Sequence, residues 1–123
     1  MPMPMLDWNE YRKQLAETIT EIARTAPDLA RGYRMLVSSR TKSGALDAKT
    51  RELMALAVAV TLRCDGCITT HVDLARKQGA TSDEITDALG VAVMVNAGAA
   101  LVYSARTIDA FHAGEADPAA SGT

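Results

Sequence analysis

Apolar residues recur along this chain at steps of three and four, the spacing that keeps them on one face of a helix. Trp8, Tyr11, Leu15, Ile19, Ile22 and Ala26 form the first such stripe, with Asp7 placed to cap it. Residues 1–6, which carry two prolines, read as an irregular arm in front of it. Pro27 ends this helix or opens the next, because proline is tolerated in a first helical turn. A second helix is expected over about Asp28 to Arg40, with Leu29, Tyr33, Leu36 and Val37 on its inner side. Thr41-Lys42-Ser43-Gly44 reads as a loop.

Asp47 is a suitable N-cap for a third helix over Ala48 to Leu62. Its second half, from Leu53 to Leu62, is apolar all round, the mark of a helix buried on several sides. The run is too short to cross a bilayer, which takes about 20 residues. Cys64-Asp65-Gly66-Cys67 opens a fourth helix, and Arg76-Lys77-Gln78-Gly79 supplies its stop signal of cations followed by glycine. Thr81 and Glu84 form a capping box at the head of a long fifth helix reaching about Phe111, almost wholly apolar from Ala88 to Tyr103. Residues 113–123, rich in Ala, Gly, Ser and Pro, read as a disordered tail behind a single domain of residues 1–112. The fold class is therefore all-α, a compact bundle of about five helices. Two helices that are apolar on nearly every side exceed what so small a domain can hide, so a homo-oligomer is expected.

Composition narrows the function classes. Hydrophobic residues make up 48% of the chain and aromatic ones only 4%, so aliphatic side chains must build the core. A formal net charge of −2 speaks against a nucleic-acid or anionic-membrane surface, which would need a basic patch. Met-Pro-Met-Pro-Met at the start lacks the basic and apolar regions of a signal peptide, so a cytoplasmic location is expected. In that reducing compartment a Cys-x-x-Cys pair is more often catalytic or metal-binding than a structural staple.

The chemistry concentrates in Cys64, Cys67 and His71, which hold both cysteines and one of the two histidines. Spacings of three and four place them on one helical face. Two thiols within bonding reach and a titratable nitrogen beside them make a thiol-redox site the leading reading. A helix N-terminus favours a thiolate on Cys64 through its free N–H groups and dipole. The i+4 spacing of His71 favours Cys67 instead. Sequence leaves both open. Zinc is an alternative occupant of the two sulfurs and the imidazole, but a closed structural site needs a fourth ligand, and His112 is the spare histidine.

The pattern Glu52-x11-Cys64-x2-Cys67-x3-His71 resembles the signature of the alkylhydroperoxidase D-like proteins of the carboxymuconolactone decarboxylase superfamily. The similarity extends over about Pro27 to Tyr103 and includes Gly79-Ala80-Thr81-Ser82-Asp83-Glu84-Ile85. It implies an all-helical protein, assembled as a homotrimer or homohexamer, that reduces hydroperoxides without a metal or organic cofactor. By the same resemblance Cys67 is the peroxidatic nucleophile, Cys64 its resolving partner, and His71 and Glu52 are parts of a proton relay. The implied partners are a hydroperoxide substrate and a dithiol reductant, a thioredoxin-like or lipoyl-bearing protein. One position departs from the pattern. The best-characterised type has a second histidine between the cysteines, where this chain has Gly66, so a weaker peroxidase is expected. A non-redox decarboxylase-like enzyme and a redox-sensing helical scaffold are the alternatives, and the first generally lacks the cysteine pair. Glu52 poses a geometric question, since twelve residues of straight helix span about 18 Å. It reaches the site only if the helices fold back on each other, or if a neighbouring subunit supplies it.

Overall fold

The computed structural model of the chain describes residues 3–116 and 119. Five helices account for about four-fifths of them: α1 (Trp8–Thr25), α2 (Pro27–Ser38), α3 (Ala48–Leu62), α4 (Asp65–Lys77) and α5 (Ser82–Glu115). No strand occurs among the described residues. The caps are those expected. The Asp7 carboxylate accepts the Glu10 N–H at 3.1 Å, and Asp47 accepts that of Thr50 at 2.8 Å. Thr81 and Glu84 exchange both bonds of the capping box, at 3.0 and 3.1 Å. Pro27 occupies the first turn of α2, where its missing N–H costs nothing.

Two boundaries differ from the sequence expectation. α2 stops at Ser38 rather than near Arg40, because the Ser39 hydroxyl and backbone N–H both turn back onto the Leu36 carbonyl. α5 runs on past Phe111 to Glu115, with the Ala116 N–H still bonded to the carbonyl of His112. Ala113 and Glu115 favour helix there, and Gly114 is carried along between them despite its low propensity. Residues 1–2 of the expected arm, and 117–118 and 120–123 of the expected tail, lie outside the described residues.

The helices pack in the order α2, α1, α4, α3, α5, so that α2 rests on α1 alone and α5 on α3 alone. Such an arrangement closes little interior. Among the described residues Leu56 and Ala59 of α3, Ala75 of α4 and Ala92 of α5 are the buried apolar ones. Thr69 is the buried polar one, and the Arg12 Nε–H reaches it from α1 at 3.2 Å. Asn96 donates to the Thr61 hydroxyl at 2.8 Å and to the Ala92 carbonyl, joining α5 to α3. At the other end of that contact Lys49 pairs with Glu84 at 2.8 Å.

The burial expected for α2, α3 and α5 is not reached within one chain. Leu29, Tyr33, Leu36 and Val37 are exposed, as are Met54, Val58 and Leu62. On α5, Leu101 and Val102 are 76% and 75% exposed. Among the described residues α5 is the one helix long and apolar enough to cross a membrane.

Candidate functional site

Helix α3 ends at Leu62, and the chain reverses in the next two residues to start α4 at Asp65. The reversal depends on Arg63, whose backbone is left-handed at φ 55° and ψ 47°. Its N–H closes the end of α3 on the carbonyls of Ala59 and Val60. Cys64 then takes the N-cap position of α4, and its sulfur accepts the Cys67 N–H at 3.1 Å. The two cysteines are joined as a disulfide with their Cα atoms 5.2 Å apart. A sulfur thus occupies the place where serine or aspartate caps most helices.

The reversal also answers the question posed by Glu52. Because α4 folds back along α3, Glu52 meets His71 within the same chain, Oε2 to Nδ1 at 2.6 Å. Both side chains are part-buried, His71 30% exposed and Glu52 20%. An ionised carboxylate can only accept, so Nδ1–H donates to it, and in a neutral imidazole so held the acceptor nitrogen is Nε2. The second copy of the chain invoked as the other possible source of the carboxylate is not needed.

Helix α1 covers the opposite side. Gly66 lies so close to Leu15 that a Cβ added there would sit 2.7 Å from Leu15 Cδ2. The space beside Gly66 is filled from above by an apolar side chain of α1. Between the α1–α2 pair and the dithiol is a cavity of about 840 Å³. Leu15, Ile19, Ile22 and Leu29 form its apolar wall, and Tyr11 and Tyr33 bring two hydroxyls. Arg63, Cys64, Gly66, Cys67, Thr70 and His71 form the reactive side. Volumes of this order hold small organic ligands, and apolar walls with few polar groups are what such ligands need.

All four candidate residues therefore meet in space: the disulfide, with His71 a turn beyond Cys67 and Glu52 behind the imidazole. Sequence reading did not single out Tyr11 and Leu15 as site residues. Their stripe positions mark them as core residues of α1, and nothing local says that the core they complete is the roof of a dithiol. His112 stands apart, exposed at the end of α5 beside Glu115.

A disulfide at a helix start, backed by a histidine–carboxylate pair, thus sits within an all-α bundle. The carboxymuconolactone decarboxylase family model matches residues 27–110, most of the folded chain, and the protein belongs to that family. An uncharacterised protein of Haemophilus influenzae is 41% identical over 105 residues, covering 85% of this chain and 93% of its own. A carboxymuconolactone decarboxylase family protein of Legionella pneumophila, solved in its apo form, superposes with a TM-score of 0.68 at 36% identity. That match covers 85% of this chain and 94% of the other. A Methanobacterium thermoautotrophicum protein gives a TM-score of 0.64 at 26% identity over 70% of this chain and 97% of its own.

Proposed function

We propose that this protein is a thiol-dependent peroxidase, or a disulfide oxidoreductase of the same chemistry, acting on organic hydroperoxides. The observation that carries the reading is the Cys64–Cys67 disulfide facing an apolar cavity that also contains the Glu52-paired His71. A cavity of this size and polarity suits an alkyl or aryl peroxide better than hydrogen peroxide, which has no apolar surface to bury.

In the reduced protein Cys67 gives its proton to His71 Nε2 as its sulfur attacks the distal peroxide oxygen. The O–O bond breaks, the sulfur is oxidised to a sulfenic acid, and the alkoxide leaves as an alcohol with the proton held by His71. Glu52 holds the ring and stabilises the imidazolium formed in between. Cys64 then attacks the sulfenic sulfur, the S–O bond breaks, and water departs as the disulfide closes. A dithiol reductant, thioredoxin-like or lipoyl-bearing, returns two electrons and two protons by exchange. The net reaction converts hydroperoxide and dithiol to alcohol, water and a disulfide. It needs no metal or organic cofactor. In this reading the exposed apolar faces of α2 and α5 are subunit contacts of a cytoplasmic homo-oligomer, not lipid contacts.

The test is hydroperoxide consumption by the purified protein with dithiothreitol, comparing cumene hydroperoxide with hydrogen peroxide. Turnover should favour the aryl peroxide and vanish in Cys67→Ser, while Cys64→Ser should react once and leave a trappable sulfenic acid. Inertness toward every peroxide, with rapid reduction of protein disulfides, would replace peroxidase by exchange catalyst.

A further inference from the structure

Arg63 is the one non-glycine residue with positive φ among the described residues. Helices commonly close on a residue in this conformation, and glycine is the usual choice because it lacks the Cβ that strains the backbone. The molecule itself supplies the contrast, since the turn after α4 is made by Gly79 at φ 82°. At the end of α3 the same device is built with arginine. A charged side chain stands where conformation alone would favour none.

That charge is not used to hold the fold. Arg12, Arg31, Lys49 and Lys77 each pair with a carboxylate. Among the described residues Arg63 makes neither an ion pair nor a side-chain hydrogen bond, and it lines the cavity beside Cys64 and Cys67. Cys64 is its chain neighbour, with a sulfur already accepting the Cys67 N–H at the positive end of α4.

Resting on the redox reading of the site, we infer that Arg63 is a positioning residue for the dithiol, stabilising a thiolate on Cys64 when the pair is reduced. The two sulfurs are then served separately. Cys64 carries the resting negative charge, supported by the backbone N–H, the helix dipole and the guanidinium. Cys67 stays protonated beside that charge and depends on His71 for its activation. The remaining titratable groups on the cavity are Asp65, which opposes Arg63, and the phenols of Tyr11 and Tyr33.

This division sets the direction of disulfide exchange. The sulfur better able to bear charge is the better leaving group. An incoming reductant thiolate therefore attacks the Cys67 sulfur, the S–S bond breaks, and Cys64 departs with the electron pair. The mixed disulfide forms on Cys67. The second thiol of the reductant then displaces Cys67, which takes up a proton.

The experiment titrates each thiol in the full-length protein by ultraviolet thiolate absorbance and by iodoacetamide alkylation against pH. Cys67→Ser isolates Cys64 and preserves the donor it depends on, which is a backbone N–H. Cys64→Ser isolates Cys67. Cys64 should ionise at a pH lower than Cys67 by about one unit or more, a tenfold difference in proton affinity. In the Cys67→Ser background, Arg63→Gly should slow alkylation near neutral pH roughly threefold, as expected for a solvent-screened cation. Arg63→Lys should restore most of that rate. The same Arg63→Gly protein should melt no lower than its parent, because glycine removes the backbone strain. A purely structural Arg63 would show the reverse pattern, lower melting with an unmoved titration, and would overturn the inference. So would a Cys67 that ionises first. Wild-type peroxide consumption is measured alongside. Its absence would strike the peroxidase reading, while the titrations would still decide the role of Arg63.

Discussion

Replacing Glu52 by glutamine tests the centre of the proposed mechanism with little change in shape. The amide is nearly isosteric, so the contact with His71 Nδ1, now 2.6 Å, can survive while the charge does not. A hydrogen bond to a charged group contributes about 1.5–3 kcal/mol in a buried setting. Partial exposure of both side chains, 20% and 30%, lowers this toward about 1–2 kcal/mol through solvent screening. A loss of that size in the transition state corresponds to a factor of about 5–30 in rate. The assay is single-turnover oxidation of the reduced protein by cumene hydroperoxide, followed across pH. Glu52→Gln should be slowed by that factor near neutrality and should approach wild type at alkaline pH, where thiolate forms unaided. His71→Ala should be slower still, by roughly 100-fold or more if the imidazole is the base. In the His71→Ala background, Glu52→Gln should then have almost no further effect, because its influence passes through the ring. Additive effects in the double variant would refute the relay, and so would a Glu52→Gln profile that overlays the wild type.

Gly66→Ala should give less than the gain of about 1 kcal/mol expected for an ordinary exposed helix glycine, because its Cβ would meet Leu15 Cδ2 at 2.7 Å and that side chain would have to shift. Combining it with Leu15→Ala should recover part of that gain, and thermal melts of the two single and the double variant measure it. Acid should loosen the starts of α3 and α5. Hydrogen bonds from Thr50 hold the Asp47 carboxyl below its ordinary range, and Lys49 followed by Thr81 does the same for Glu84. Stability from such depressed carboxyls is complete above the ordinary carboxylate range and is lost as pH falls below it, through the lowered folded-state values. Helical circular dichroism against pH should show that loss below about pH 4, with Asp47→Asn already insensitive to its share. Light scattering of protein purified without detergent should give a mass of at least three chains. A monodisperse monomer would leave the exposed apolar residues of α2 and α5 without an explanation.

Much of this structure is local, and local structure was legible in the sequence. Asp7, Asp47 and the Thr81–Glu84 box fix the starts of α1, α3 and α5 through bonds that span three residues. The Cys-x-x-Cys-x-x-x-His spacing puts the dithiol and imidazole on one helix face whatever else the chain does. The limits of α3 were likewise legible, from a cap at one end and the loss of pattern at the other. The resemblance to the family named Glu52, but periodicity alone would have left it an exposed carboxylate near the start of α3. Its place beside His71 depends on α4 folding back along α3, and that depends on a left-handed Arg63 that no propensity rule anticipates. The roof over the dithiol was equally hidden. Leu15 and Gly66 are far apart in sequence, and their contact is set by how α1 crosses α4, a rigid-body relation with no local signature. Nor did the apolar runs say how they would be covered: α3 buries only Leu56 and Ala59, and α5 only Ala92. Short-range bonds and helical period belong to the sequence because a few neighbouring residues determine them. The meeting of Glu52 with His71, and of Leu15 with Gly66, belongs to the tertiary structure, because side chains on separate helices come together only where the axes cross.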